Sequence, residues 1–593
     1  MSAGDRPGSL AEALANGRAL LAADPALALE QAQAILEVTA DQPDALYLAG
    51  RALRALSRIA EARAAEDAAI AASLAQPDMQ RAAAALAANA LRDAEHLLRA
   101  RLARSPDDAA AKTLLADIAA RVGIYQEAER QLRDVLDQVP DYAEARIGLA
   151  QALSRQGRIE ESLAELTQVI RAEPGHVRAA ALKAETQAQT GDYEAAAETY
   201  RGLLAEVPGH AEAEMWFGHL LKTMGRREEA VAAYRRALAI EPDLAEAWWA
   251  LSELKADVFT DEDIVAIGQA LAAEQRPAKA LFLHFALGRG FEDRKLWAES
   301  FRHYAAGNAI RLSLEPHDRA AVTRETDQSI AIYDRRFFAA RAGSGASDPD
   351  PIFIVGMPRA GSTLIEQILD CHSQVEGTSE LPLMPMLVQS LVARDWRRLD
   401  AAYPDAVPAL SADALTALGR SYLDGARRHR RSDAPFFTDK LPNNWRYLGL
   451  IHAILPNAKV VDARREAMAC CFSNYKQHFA QGQTFAYALT DIGAYYRDYV
   501  RAMTHFAAVL PGRQHLVRHE ALLADPEAEI RALLAYLGLP FEEACLRPHE
   551  NRRAVRTASS EQVRRPINSG AVDLWRHYEP WLGDLKAALG DAR

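Results

Sequence analysis

The sequence predicts an all-α solenoid followed by an α/β domain with a mostly parallel sheet. Two observations carry this. Prolines and glycines recur at one fixed interval through the first half. After residue 351, short β-like runs alternate with helical stretches, the pattern of a doubly wound sheet that places ligands at the carboxyl ends of its strands. The length of 593 residues leaves room for several domains, and 49% hydrophobic with 25% charged residues is ordinary for a soluble globular chain.

The repeat array comes first. Pro106, Pro140, Pro174, Pro208 and Pro242 are evenly spaced, with a period of about 34 residues. Gly123, Gly157, Gly191 and Gly225 keep the same period, as do the small residues Ala128, Ser162, Ala196 and Ala230. Pro43 and Pro77 keep it too, and a shorter step from Pro77 to Pro106 then shifts the phase. Each unit reads as two amphipathic helices. The glycine ends the first, the small residue lets the second pack closely, and the proline starts the next unit. The period, Gly123 with Tyr125, and Gly191 with Tyr193 resemble the tetratricopeptide repeat. One such unit cannot bury its apolar face alone, so units stack. We expect an all-α tetratricopeptide solenoid over residues 1–242, with alanine-rich, degenerate units before Pro106. A helical capping and connecting region follows over 243–342. The breaker-rich run Gly343 to Pro351 reads as a linker, 343–351, leading into the second domain at 352–593.

Candidate strands of that domain are Ile352–Val355, Phe436–Thr438, Lys459–Ala463 and His515–Arg518. The first runs into a glycine-containing loop and then a helix from Ser362 to Leu369. Strand, loop and helix N-terminus make an anion cradle. Gly356-x4-Gly361 has the Walker A spacing, but Ser362 stands where the lysine should be. Thr363 keeps the hydroxyl position, and the fixed cation is Arg359. The loop suits one phosphate carrying a different transferable group.

Pro358-Arg-Ala-Gly-Ser-Thr-Leu364 resembles the 5′-phosphosulfate loop of sulfotransferases, and the closer likeness is to the protein-tyrosine sulfotransferase branch and its bacterial relatives with tetratricopeptide arrays. The resemblance spans residues 350 to 580. It implies an α/β P-loop-like domain and the co-substrate 3′-phosphoadenosine 5′-phosphosulfate (PAPS), held by Arg359, Ala360, Gly361, Ser362, Thr363 and Leu364 at its 5′ side. Glu380 stands at the family's spacing from Arg359 and matches its general base. A phenol with pKa about 10 needs such a base at neutral pH. Glu376 is the nearby alternative. Lys440, after the Phe436 run, matches the lysine that reaches the bridging oxygen and sulfonyl group. Arg465, with Ser473 further along, matches the 3′-phosphate site, where a guanidinium bonds phosphate in two places. Arg464, one position off the spacing, is expected to point away. Lys476 either adds charge there or lies on a solvated helix face. In the motif that precedes Trp575, Ser559 matches the serine facing the sulfonyl group and Arg565 the basic residue at the 3′-phosphate. His519 replaces the family's tyrosine near the cofactor, which leaves that contact open. His372 and His452 are read as no better bases than Glu380, and His372 as structural.

Charge and composition set limits on partners. The net charge is −14 over residues 1–350 and +2 over 351–593, so the acidic half is a poor nucleic-acid binder. No run approaches the ~20 apolar residues of a membrane span, no signal peptide is legible, and four cysteines fit a reducing, cytoplasmic compartment. No Cys/His spacing or Walker B pairing suggests a metal. The expected activity is PAPS-dependent transfer of a sulfuryl group to a hydroxyl, with tyrosine in a peptide or protein preferred. A glycan or small-molecule acceptor, a nucleotide-binding scaffold without transfer, and a P-loop kinase are the rivals. The array is expected to recruit the peptide or protein substrate; its alternative use as a docking or dimerisation surface leaves a homodimer open.

Overall fold

The computed structural model describes residues 9–254, 258–393, 403–479, 482–551, 553, 563–564 and 573–592. The chain divides into two compact units, Met1–Ala213 and Glu214–Arg593.

The first unit is a run of helical hairpins. Leu10–Ala23 pairs with Pro25–Val38, Pro43–Ala55 with Ile59–Leu74, and Pro77–Ala87 with Leu91–Arg104. Ala109–Arg121 pairs with Tyr125–Gln138, Ala143–Arg155 with Ile159–Ala172, and Val177–Gln189 with Tyr193–Glu206. Gly123, Gly157 and Gly191 sit at φ +82°, +77° and +81°, the left-handed turn that stops each first helix. Asn89, one repeat interval before Gly123, takes the same turn at φ +56°. Asparagine tolerates that conformation, so the turn stays in phase one unit earlier than the glycines indicate. The short proline step has a local cause. Pro77 is the first residue of its helix, whereas Pro106 stands in the connection ahead of the helix that begins at Ala109. Ala94, Ala128, Ser162 and Ala196 are fully buried where paired helices cross. Ser162 donates its hydroxyl to the Ala150 carbonyl at 2.7 Å, which removes the penalty of burying it.

The second unit opens with helices and continues into the sheet. Its hairpin Pro277–Asp293 and Trp297–Leu314 repeats the array's geometry without its sequence period. Lys295 holds the left-handed turn at φ +59°. Further along, Ser300 donates to the Gly288 carbonyl at 2.7 Å, as Ser162 does to Ala150.

Five parallel strands follow: β1 (Pro351–Gly356), β2 (Val375–Gly377), β3 (Phe436–Asp439), β4 (Lys459–Arg464) and β5 (Gln514–Arg518), in the order β2-β3-β1-β4-β5. Every residue of β1 is buried, as expected of a central strand covered on both faces. Phe353 and Val355 pack on one face with Tyr422, Trp445 and Phe472, and Ile352 and Ile354 on the other with Ile365, Val461 and Leu534. The run leading into β1 is anchored: the Ala346 amide donates to the Ile454 carbonyl at 2.8 Å and the Gly345 amide to Thr416 Oγ1 at 3.1 Å. Polar ties join the helices to the sheet layer. Lys476 pairs with Glu292 at 2.7 Å, Asn308 donates to the Tyr475 carbonyl at 2.8 Å, and Arg446 pairs with Glu325 at 2.5 Å. Among the described residues no helix is long and apolar enough to cross a membrane.

Candidate active site

The carboxyl ends of parallel strands lie on one edge, so the segments after β1 to β5 converge there. The loop Met357–Gly361 leaves β1 with Arg359 at φ +66° and Gly361 at φ +99°. Gly361 precedes the helix Ser362–Asp370 and offers no side-chain cap, so the backbone amides of the first turn face the loop without one. A Cβ at Gly361 would lie 2.8 Å from His519 Nδ1. The loop therefore packs directly beneath the histidine that begins the helix after β5. Ala360, Ser362 and Thr363 are buried, and Leu364 is half-buried.

The helix Ala467–Tyr475, which follows β4, fixes this loop from the other side. Asn474 Nδ2 donates to the Pro358 carbonyl at 2.8 Å, and Arg359 Nε donates to Ser473 Oγ at 3.3 Å. Arg359, Arg465 and Ser473 line one cavity of about 120 Å3 together with Glu253, Arg289 and Trp575. Burial pulls the Arg359 guanidinium down to about 10, while Glu253 pushes it back up and Arg465 lowers it further. It stays protonated at neutral pH. Burial, with help from Arg465, also drives His519 down to about 4, so its ring is neutral. Arg464 turns away: it pairs with Asp462 at 2.5 Å and its guanidinium lies over the Tyr499 ring. Lys476 lines the cavity but is held by Glu292, which replaces the reading of a solvated helix face. Asn474 was invisible as a site residue, because an asparagine inside a helical pattern gives no signal of what carbonyl it will meet.

On the other side of β1, Lys440 follows β3 and is fully buried. Its ammonium donates to Glu380 Oε1 at 2.5 Å, with side-chain exposure of 1% for the lysine and 45% for the glutamate. A buried ammonium thus faces a carboxylate that is open to solvent. Glu376 is occupied elsewhere, accepting from the Arg431 amide at 2.5 Å and from Ser432 Oγ at 2.8 Å. His372 is buried and its Nε2 meets the Pro540 carbonyl at 2.9 Å; His452 is buried and held by burial down at about 4. Ser559 and Arg565 lie outside the described residues.

Residues 351–543 match the sulfotransferase family, and residues 79–143, 119–186 and 187–254 match tetratricopeptide repeats. The chain joins tetratricopeptide repeats to a sulfotransferase-family domain. A protein of Aquifex aeolicus (strain VF5), described as uncharacterized, is 32% identical over 330 residues, covering 54% of this chain and 43% of that one. The chain thus spans less than half of that relative's length. Protein-tyrosine sulfotransferase A of Caenorhabditis elegans is 23% identical over 278 residues, 43% of this chain and 68% of that one. Among solved structures, the sulfotransferase domain of the Synechococcus PCC 7002 olefin synthase is 22% identical, covering 39% of this chain and 88% of that one at a TM-score of 0.30.

Proposed function

We propose that this protein is a PAPS-dependent sulfotransferase whose acceptor is a hydroxyl, tyrosine in a peptide or protein. The observation that carries the reading is the meeting of the Arg359 loop with Arg465 and Ser473 at one cavity, through the 3.3 Å Arg359–Ser473 contact. Two guanidiniums and a hydroxyl suit a nucleotide with a phosphate separate from the one in the loop. The loop from Arg359 to Leu364 takes the 5′ side, Arg465 and Ser473 the 3′-phosphate, and Ser559 and Arg565 remain assigned to the same donor by their motif. His519, neutral and against Gly361, borders the nucleotide without adding charge.

The donor supplies a sulfuryl group on its 5′-phosphate. The acceptor oxygen bonds to sulfur as the bond from sulfur to the bridging oxygen breaks, and adenosine 3′,5′-bisphosphate leaves. Glu380, exposed at the edge, takes the acceptor's proton. Lys440, already desolvated, and Arg359 stabilise charge on the leaving oxygen, where a low-dielectric setting strengthens their effect. The Lys440–Glu380 contact holds both groups in place before substrates arrive, and the ammonium passes from the carboxylate to the donor oxygen. Likeness to named protein-tyrosine sulfotransferases supports the tyrosine acceptor, and an array of a kind that commonly binds proteins supports recruitment of a protein substrate. Incubating the protein with 35S-labelled PAPS and panels of tyrosine peptides, glycans and small phenols tests this. Label on tyrosine peptides is expected; label confined to glycans or small molecules would replace the acceptor, and no label anywhere would overturn the reading.

A further inference from the structure

Ser379, directly before Glu380, sits at φ +67°, a conformation unfavourable for a serine. Two bonds hold it there. Its amide donates to Glu366 Oε1 at 2.8 Å, and its carbonyl accepts the Lys440 amide at 3.0 Å. Glu366 is a buried carboxylate, 1% exposed, on the helix that follows the Arg359 loop. The same oxygen accepts Thr438 Oγ1 at 3.2 Å from β3, and Oε2 pairs with Arg553 at 2.8 Å. One carboxylate therefore ties together the helix of the anion loop, the strand that delivers Lys440, and the residue that aims Glu380. A buried carboxylate with three partners is costly to build and is destabilising when left partly unpaired. Packing alone would be served by an apolar side chain on this helix, where Ile365, Ile368 and Leu369 are already buried.

We infer that Glu366 is a positioning residue that holds Ser379 in its left-handed conformation and so sets Glu380 against Lys440. The inference rests on the assignment of Glu380 and Lys440 to sulfuryl transfer, but its geometry is separable from it. Replacing Glu366 with alanine frees the Ser379 amide, and the backbone relaxes towards ordinary φ, swinging Glu380 from the lysine. Glutamine keeps an acceptor for Ser379. Glycine at 379 adopts the left-handed conformation without an anchor.

The test uses the full chain in four forms: wild type, Glu366→Ala, Glu366→Gln, and the double variant Glu366→Ala with Ser379→Gly. Crystal structures report φ at 379 and the Glu380–Lys440 distance, independently of any activity. Steady-state transfer from labelled PAPS to a tyrosine peptide gives kcat and the donor KM. For Glu366→Ala we expect loss of the positive φ, a Glu380–Lys440 separation beyond hydrogen-bonding range, and a kcat lower by about ten- to a hundredfold with donor KM within about threefold. Glu366→Gln is expected to keep the geometry and most of kcat, and the double variant to recover most of what alanine loses. A Glu366→Ala structure that retains φ and the ion pair would overturn the inference, as would a kcat loss that glycine at 379 does not recover. If Glu380→Ala keeps full transfer while Glu366→Ala shows the displaced geometry, the base assignment fails and the positioning role stands. Should Glu366→Ala fail to fold, the glutamine variant decides: a lost positive φ despite a retained acceptor contradicts the inference.

Discussion

The side chains of the candidate site differ in their surroundings, which say how each should respond to change. Lys440 is buried with its charge facing one carboxylate. Its replacement by alanine should lower kcat by about 10²- to 10³-fold, the usual cost of removing one preorganised charge at a developing oxyanion, measured with labelled PAPS at saturating acceptor. Glu253 faces Arg359 inside the cavity and raises its proton affinity. An anion entering must contend with that carboxylate, so Glu253→Gln should tighten adenosine 3′,5′-bisphosphate by roughly three- to tenfold in calorimetry, on the scale of one partly screened charge pair. Asp439 offers a pH signature. Burial raises its carboxyl to about 7, against the Tyr422 hydroxyl at 2.8 Å, which lowers it. An unfolded chain releases that proton near pH 4. Between about pH 4 and 7 the folded state therefore binds more protons, and the Asp439 contribution to stability falls as pH rises. Asp439→Asn should gain stability over wild type progressively across that window, read as the difference in denaturant midpoints, and should show little difference below pH 4.

At the level of helices and strands, much of the architecture was legible because it repeats or is strongly patterned. β1, β3, β4 and β5 were readable as short β-like runs alternating with helical stretches, each nearly to its ends. β2 was not: Val375–Gly377 is very short with a glutamate at its centre, and it is a strand because β3 lies beside it. The left-handed turns at Asn89 and Lys295 were hidden for a related reason, since only glycine announces that conformation in a sequence. Asn89→Gly should be neutral or slightly stabilising, whereas Asn89→Val should cost about 1–2 kcal/mol, the penalty for a branched side chain in that region, measured by thermal or urea unfolding. The site divides the same way. Arg359, Glu380, Lys440, Arg465 and Ser473 were candidates through the resemblance to sulfotransferases, whose motifs they match in order. Glu366, Asn474 and Glu253 could not, because their work depends on which amide, carbonyl or cation the fold brings near them.

For the molecule as a whole, the second compact unit contains both the sheet and the helices that precede it, and the Lys476–Glu292 pair belongs to its buried framework. Removing one partner of a buried pair strands the other charge, so Glu292→Ala should destabilise that unit by about 3–5 kcal/mol, visible as a lowered unfolding midpoint. The proposed activity is sulfuryl transfer at the sulfotransferase-family domain, with the repeats recruiting the acceptor. The most direct test compares wild type and Glu380→Ala for transfer of label from 35S-PAPS to tyrosine peptides, with bisphosphate affinity measured in parallel. The expected result is transfer by wild type, a loss of about 10²- to 10⁴-fold in the variant, and nearly unchanged bisphosphate affinity. Full transfer by Glu380→Ala, or no transfer to any acceptor by a wild-type protein that binds the bisphosphate, would contradict it.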